Sequence, residues 1–133
     1  MKIIQTLHLN STYEEVEKLE GFLNDLQEKL SFDNEMYARL MLTVSEAVTN
    51  GIVHGNQLDE SKKVHVKAET DDTYLYIVTE DDGDGFNPED VPDPLAEENL
   101  LKPSGRGIFL MEEHADETNF SEDGTILTLK FRL

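Results

Sequence analysis

The sequence predicts an α+β domain: a two-layer sandwich in which helices cover one face of a mixed, mostly antiparallel sheet. A strand-like segment is followed by two helical patterns, then by a hairpin, and a short helix with two strands closes the chain. All four prolines fall within residues 86–104, between the hairpin and that last part. At 133 residues the chain is long enough for one core. We therefore predict a single domain over residues 1–133.

The first two elements are a strand and an amphipathic helix. One side of the strand is formed by near-alternating residues: Ile3, Gln5, Leu7 and Leu9. Ser11 precedes Glu14 by three residues, which is the spacing of a capping box, and Thr12 precedes Glu15 in the same way. Apolar residues three or four positions apart then indicate the helix: Val16, Leu19, Leu23, Leu26 and Leu30.

A second, longer helix begins after Asp33 or Asn34, either of which can cap it. Its apolar positions recur at helical spacing: Leu40, Val44 and Val48. The pair Gly55-Asn56 is typical of the positive φ angle that ends many helices. The helix is therefore predicted to end there.

The rest of the chain reads as strands around one further helix. Residues 64–68 and 74–79 have strand patterns, and Asp71-Asp72 between them predicts a hairpin turn. Residues 108–115 predict a short helix. Two final strands surround residues 121–124, marked by Phe120 and by alternating Leu127, Leu129, Phe131 and Leu133.

Composition limits the function. A formal net charge of −18 argues against binding to nucleic acid or to an anionic membrane, because either would repel this surface. The chain has no cysteine, which excludes disulfides and thiolate chemistry and fits a reducing compartment. No segment resembles a signal peptide or is long enough to span a bilayer. We expect a soluble cytoplasmic protein.

The second helix carries a polar stripe. At 100° per residue, Asn50 lies about 40° from Glu46 around the helix, and His54 lies about 80° from it. An amide oxygen is a suitable ligand for a hard cation such as Mg²⁺, and a nearby carboxylate can accept a proton from an attacking hydroxyl. The alternative is an ordinary solvated face, with His54 a surface or cap residue.

The acidic segment at residues 81–85 follows a predicted strand and contains two glycines. It could be an acidic turn. A calcium loop is disfavoured, because Asn87 stands where an EF-hand beginning at Asp82 needs glycine and Asp93 where it needs glutamate. In a third interpretation, Asp81 accepts a hydrogen bond from an exocyclic amine such as that of adenine. The glycines would then keep the adjoining wall free of Cβ atoms.

Residues 105–107 form a second glycine-rich turn, which precedes the short helix. A helix N-terminus after such a turn presents unpaired N–H groups to an anion. The segment is neither a Walker A motif nor a dinucleotide fingerprint, since both signatures are missing. Because of its prolines, the stretch 86–104 is either a lid over the site or a solvated surface loop.

Together these motifs resemble those of the GHKL, or Bergerat-fold, ATPases, which include the histidine kinases. Residues 46–50 with 54–56 resemble the N box of that family. Residues 81–86 resemble its G1 box, residues 105–111 its G2 box, and the intervening stretch its ATP lid. The resemblance covers nearly the whole chain. The chain is most similar to the anti-sigma factor serine kinase branch, of the RsbW and SpoIIAB type.

The resemblance implies a role for each motif residue. Glu46 would be the general base, and Asn50 would bind the nucleotide through Mg²⁺. Asp81 would bind the adenine amine, and Gly83 and Gly85 would border the base pocket. The phosphates would be held by the G2 residues and the helix they open: Gly105, Arg106, Gly107 and Ile108. The side chain of Arg106 would reach a terminal phosphate or point to solvent.

The function implied by the resemblance is phosphorylation of a serine on a STAS-domain anti-sigma factor antagonist, with ATP and Mg²⁺. A second implied activity is sequestration of a sigma factor, usually by a homodimer, and hence transcription regulation. Two alternatives remain open. The chain could be an ATP-sensing regulatory binding module with little or no kinase activity, or a homologue of a histidine kinase catalytic domain that acts in trans.

Overall fold

The structure is a computed structural model that describes residues 1–83, 110–121 and 123–133. The elements in chain order are β1 (Lys2–Asn10), a 3-10 helix (Tyr13–Glu17), α1 (Lys18–Leu30), α2 (Asn34–Asn50), a π-helical turn (Gly51–Gly55), β2 (Lys63–Thr70), β3 (Tyr74–Asp81), β4 (Glu117–Phe120) and β5 (Ile126–Arg132). Residues 110–114 are also helical. This is the predicted order of strands and helices.

The five described strands form one sheet in the order β1-β2-β3-β5-β4, and all neighbours in it are antiparallel. Buried residues alternate with partly exposed ones along β2, β3 and β5. The buried face joins the apolar sides of α1 and α2 in one core. The predicted α+β class is confirmed. No helix in the described part of the chain is long and apolar enough to cross a membrane.

The first strand departs from simple alternation. Its pairing with β2 shifts register between Ile3 and Gln5, so that Ile3 pairs with Glu69 and Gln5 pairs with Ala68. Ile3 is consequently 56% exposed, while Ile4 packs against the core. The prediction that Ile3 shares a face with the later residues of this strand was wrong, because an extra residue in one strand reverses the side to which its neighbours point.

Neither predicted capping box forms. Thr12 is the N-cap of the 3-10 helix, but its side chain makes no capping hydrogen bond. Glu15 instead accepts a hydrogen bond from the backbone N–H of Asn10 at 3.0 Å. The Ser11 hydroxyl donates to the carbonyl oxygen of Lys62 at 2.7 Å, because it is buried rather than free to cap.

The second helix begins as predicted, since the Asp33 carboxylate accepts the N–H of Met36 at 2.9 Å. Its end differs. Asn56 has φ −90°, and the positive φ angles of this segment are at the next two residues, Gln57 and Leu58. The helix widens into the π-helical turn before the chain leaves it, so Gly55 does not serve as a left-handed cap.

The predicted hairpin of β2 and β3 is present, and the two predicted final strands, β4 and β5, also pair with each other. Asp71 accepts hydrogen bonds from the N–H groups of Thr73 and Tyr74, and Asp72 has φ 76°. Gly124 has φ 75° in the turn between β4 and β5, a backbone conformation that favours glycine. The turns are thus closed by an aspartate that accepts backbone N–H groups and by residues that adopt a positive φ angle.

Candidate functional site

The side chains of Glu46 and Asn50 lie one turn apart on α2, where residues four positions apart are neighbours. Both are partly exposed, whereas the adjoining face of the helix is buried in the core. Among the described residues, neither side chain has a hydrogen-bond or ion-pair partner. Within the described part of the chain, both side chains are thus partly exposed and unpaired.

The π-helical turn brings the backbone of α2 close to the sheet. The N–H of Asn56 donates to the carbonyl of Gly51, five residues earlier, at 2.7 Å. The N–H of Leu58 donates to the carbonyl of Ile52 at 2.8 Å. A turn of this width is rare and is often found at functional sites. Here it leads from the helix with the polar pair to the end of β3.

Asp81 is the last residue of β3, and it continues the inward-facing series of that strand. A Cβ atom on Gly51 would lie 3.6 Å from the Cβ of Asp81. A Cβ atom on Gly55 would overlap the Asp81 carboxyl group itself. The carboxylate therefore fits only because the π-helical turn has no side chain at this point.

Gly83 folds back over the same carboxylate. Its N–H donates to Oδ1 of Asp81 at 2.9 Å. A Cβ atom on Gly83 would overlap the carbonyl oxygen of Gly55. The carboxyl group of Asp81 thus lies among the backbones of three glycines, and we call this place the glycine recess: Gly51, Gly55, Asp81 and Gly83.

The recess alters the acidity of its carboxyl group. Partial burial raises the pKa of Asp81 above the usual 3.8, because desolvation disfavours the charged form. The hydrogen bond from Gly83 acts in the opposite direction and is outweighed. The charges of Asp82, Asp123 and Glu80 raise the pKa further. A perturbed acid in a recess is a candidate binding group.

Five of the predicted site residues lie outside the described residues: Gly85, Gly105, Arg106, Gly107 and Ile108. The predicted lid, residues 86–104, also lies outside them. The helix that would follow the G2 motif is described over residues 110–114, where Met111 is fully buried. The Arg39 guanidinium donates two hydrogen bonds to the carbonyl of His114, at 2.6 and 3.0 Å, which fixes this helix against α2.

Sequence reasoning missed part of the site. His54 is exposed, as expected for a surface residue. The sequence prediction treated Gly55 and Asn56 as a helix end, whereas Gly55 borders Asp81 and Asn56 is fully buried. The available signal was the pair of glycines four residues apart, at 51 and 55, in a helix that otherwise has large apolar residues.

Comparison with known proteins identifies the family of this chain. The profile of the histidine kinase-like ATPase domain matches residues 9–131. The chain belongs to the histidine kinase-like ATPase family. The predicted resemblance to GHKL ATPases is thus confirmed, and the motif residues lie in the part of the chain that the profile matches.

Similar proteins in this family are named as anti-sigma factors or as a serine-protein kinase. An anti-sigma F factor of Clostridium perfringens is 39% identical over 95 residues, which cover 68% of this chain and 68% of the relative. An anti-sigma F factor of Shouchella clausii is 32% identical over 104 residues, covering 74% and 71%. The serine-protein kinase RsbW of Bacillus licheniformis is 29% identical over 117 residues, covering 82% and 73%.

The fold is also that of a solved structure. The RsbU and RsbW domains of a Mycobacterium tuberculosis protein match with a TM-score of 0.64 and 16% identity. The match covers 97% of this chain and 32% of that longer chain. The fold of this chain is therefore found as one part of a longer chain.

Proposed function

We propose that this chain is an ATP-dependent protein-serine kinase and anti-sigma factor type regulator, which phosphorylates a STAS-domain anti-sigma factor antagonist. The observation that carries the proposal is the glycine recess, which presents the Asp81 carboxylate beside the end of the helix with Glu46 and Asn50. The names of the relatives support the choice of a kinase and anti-sigma regulator within the family.

The recess suits an adenine ring. An ionised carboxylate is a strong acceptor for an exocyclic amine, and Asp81 has already lost part of its hydration. The backbones of Gly55 and Gly83 leave no Cβ atoms on either side of it. This glycine wall packs against the carboxylate itself, so a flat base would approach the carboxylate from its exposed side. Gly85 would extend the same wall beyond the described residues.

The polar pair of α2 suits the phosphate end of the nucleotide. The amide oxygen of Asn50 is a neutral oxygen ligand that suits Mg²⁺, which would offset phosphate charge. Glu46 would orient the serine hydroxyl of the partner and accept its proton as the phosphoryl group passes to the serine oxygen and ADP leaves. The phosphates would rest against the G2 residues Gly105, Arg106, Gly107 and Ile108.

The partners follow from the same assignment. The substrate would be a STAS-domain antagonist, and the second partner a sigma factor that is held inactive. A homodimer is the assembly that this branch of the family implies. No part of the proposal calls for nucleic acid or a membrane, and the net charge of −18 disfavours both.

The test is phosphorylation of purified STAS-domain proteins by this chain, with labelled ATP and Mg²⁺, measured beside the affinity for Mg-ATP. Glu46→Gln keeps the size of the side chain but removes the proton acceptor. We expect nucleotide affinity to survive and transfer to fall by roughly 10²–10⁴-fold. Asn50→Ala should reduce both, because it removes the metal ligand.

A matched control is Glu28→Gln, which removes an exposed carboxylate from α1 and should change neither quantity. Undiminished transfer by Glu46→Gln would show that Glu46 is not the base. If the parent binds Mg-ATP but phosphorylates no cognate STAS protein, the chain is instead an ATP-sensing binding module. If the parent binds no nucleotide, the assignment of the recess fails.

A further inference from the structure

Asn56 is fully buried, and its side chain joins three separate parts of the fold. Its Nδ2 donates to the hydroxyl of Ser11 and to the carbonyl of Lys63, both at 3.0 Å. Its Oδ1 accepts the backbone N–H of Asp82 at 2.8 Å. Both amide hydrogens and the carbonyl oxygen are therefore paired, as the burial of a polar group requires.

The network around Asn56 is closed on both sides. Ser11 is also fully buried, and its hydroxyl donates a hydrogen bond to the carbonyl of Lys62. The carboxylate of Asp82 accepts the N–H of Lys63 at 2.9 Å. Asp82 is therefore held at two points: its main-chain N–H by the amide of Asn56, and its side-chain carboxylate by the N–H of Lys63.

The held peptide lies inside the candidate site. Asp82 stands between Asp81, whose carboxylate occupies the recess, and Gly83, whose N–H bonds to that carboxylate. Asn56 directly follows Gly55, the last residue of the π-helical turn, which borders the recess on one side. The side chain of Asn56 holds the Asp82 peptide on the other side. A fixed peptide fixes the direction of the neighbouring side chains.

We propose that Asn56 is a positioning residue for base recognition: it locks the turn after β3 so that the Asp81 carboxylate points at the adenine amine. This inference rests on the proposed function, since it takes the recess as the adenine site. Asn56 touches no reacting group. It acts through Asp82 and thereby sets the selectivity of the site for adenine over guanine.

The test compares Asn56→Ala with Ser11→Ala. Both remove buried hydrogen bonds from one network, but only the first removes the acceptor of the Asp82 N–H. In Asn56→Ala we expect the amides of Asp82 and Gly83 to exchange faster with solvent. We also expect the dissociation constant for Mg-ATP to rise about tenfold or more, and the preference for ATP over GTP to fall.

Ser11→Ala should lower the unfolding temperature while leaving that preference as in the parent. A purely structural role for Asn56 would make the two variants alike: less stable, but equally selective when measured well below the unfolding temperature. That result would overturn the inference about Asn56. The proposed function would still stand, provided that the parent itself prefers ATP to GTP. A parent that binds no adenine nucleotide overturns the proposed function itself.

A measurement on the parent covers the case in which Asn56→Ala does not fold. The side-chain amide protons of Asn56 and the backbone N–H of Asp82 should be strongly protected from exchange. Their NMR signals should shift when Mg-ATP is added and should not shift with Mg-GTP. Signals that respond to neither nucleotide, in a parent shown to bind ATP, would contradict the inference.

Discussion

Asp81, the residue proposed to bind adenine, opposes the stability of the fold when it is ionised. The protein raises the pKa of this carboxyl group, so its proton is held more tightly in the folded than in the unfolded chain. Folding is therefore opposed when the carboxyl group is ionised. The opposing contribution grows as the pH rises from 3.8 through the folded-state pKa, and it is complete above that value.

Asp81→Asn should separate these two effects. At neutral pH we expect the free energy of unfolding to equal or exceed that of the parent by up to about 0.5 kcal/mol, since the side chain is only partly buried. The difference should disappear in acid, where Asp81 is protonated. Affinity for adenine should fall about tenfold or more. Urea unfolding at both pH values and calorimetry with Mg-ATP measure this. A variant that is less stable at neutral pH and binds equally well would contradict it.

The two glycines beside Asp81 should respond differently to alanine. In Gly55→Ala the new methyl group meets the Asp81 carboxyl group, which can rotate away, so we expect adenine affinity to fall with little loss of stability. In Gly83→Ala it meets the backbone carbonyl of Gly55, which cannot move freely. That variant should lose both affinity and about 1–3 kcal/mol of stability. Thermal unfolding and nucleotide binding distinguish the two.

Gly21→Ala is the control for these variants. Gly21 is exposed in α1, and a Cβ atom there would meet nothing within 4 Å. The substitution should raise stability by about 0.5–1 kcal/mol, because glycine in a helix loses more chain entropy on folding than alanine does. If Gly83→Ala had an equally mild effect, the backbone contact with Gly55 would not restrict the turn.

Among the helices and strands, those with a regular period could be predicted from the sequence. The apolar positions of α1 recur every three or four residues, and the strands of the hairpin alternate. Such elements form because one of their faces is buried, and the spacing of the apolar residues in the sequence shows which face that is. The N-cap at Asp33 could be predicted too, because its hydrogen bond is local.

The irregular parts of the elements could not be predicted, because contacts distant in sequence decide them. The register shift in β1 depends on its pairing with β2, some 60 residues later. The Ser11 hydroxyl is buried against Lys62, so it cannot cap the helix that follows it. In the π-helical turn Gly55 lies against Asp81, a contact between residues distant in sequence that no local pattern contains.

The candidate site was predictable to a similar extent. Glu46, Asn50, Asp81 and Gly83 belong to motifs whose residue types suggest their chemistry, and the structure brings Asp81 and Gly83 to the end of the helix that carries the other two. The role of Asn56 was not predictable, because an asparagine after a glycine is also the usual end of a helix. Only its burial and three partners distinguish it.

The whole molecule carries a strong excess of negative charge. With a net charge of −18 on 133 residues, like charges on the folded surface repel one another more than in the expanded chain. Raising the salt concentration from about 10 mM to about 150 mM shortens the screening length and should raise the unfolding temperature by a few degrees. Calorimetry with sodium chloride tests this, and an unfolding temperature that falls with added salt would contradict it.

The geometry of the glycine recess depends on the number of residues in the π-helical turn. Such a turn accommodates one residue more than α-helical hydrogen bonding needs between the same two points. Removal of a single residue between Gly51 and Gly55 would allow regular α-helical bonding, and the narrower turn would no longer reach the end of β3. Asn56 would then leave its three partners, and Gly55 would leave Asp81. A shortened chain could keep every motif side chain and still have no recess.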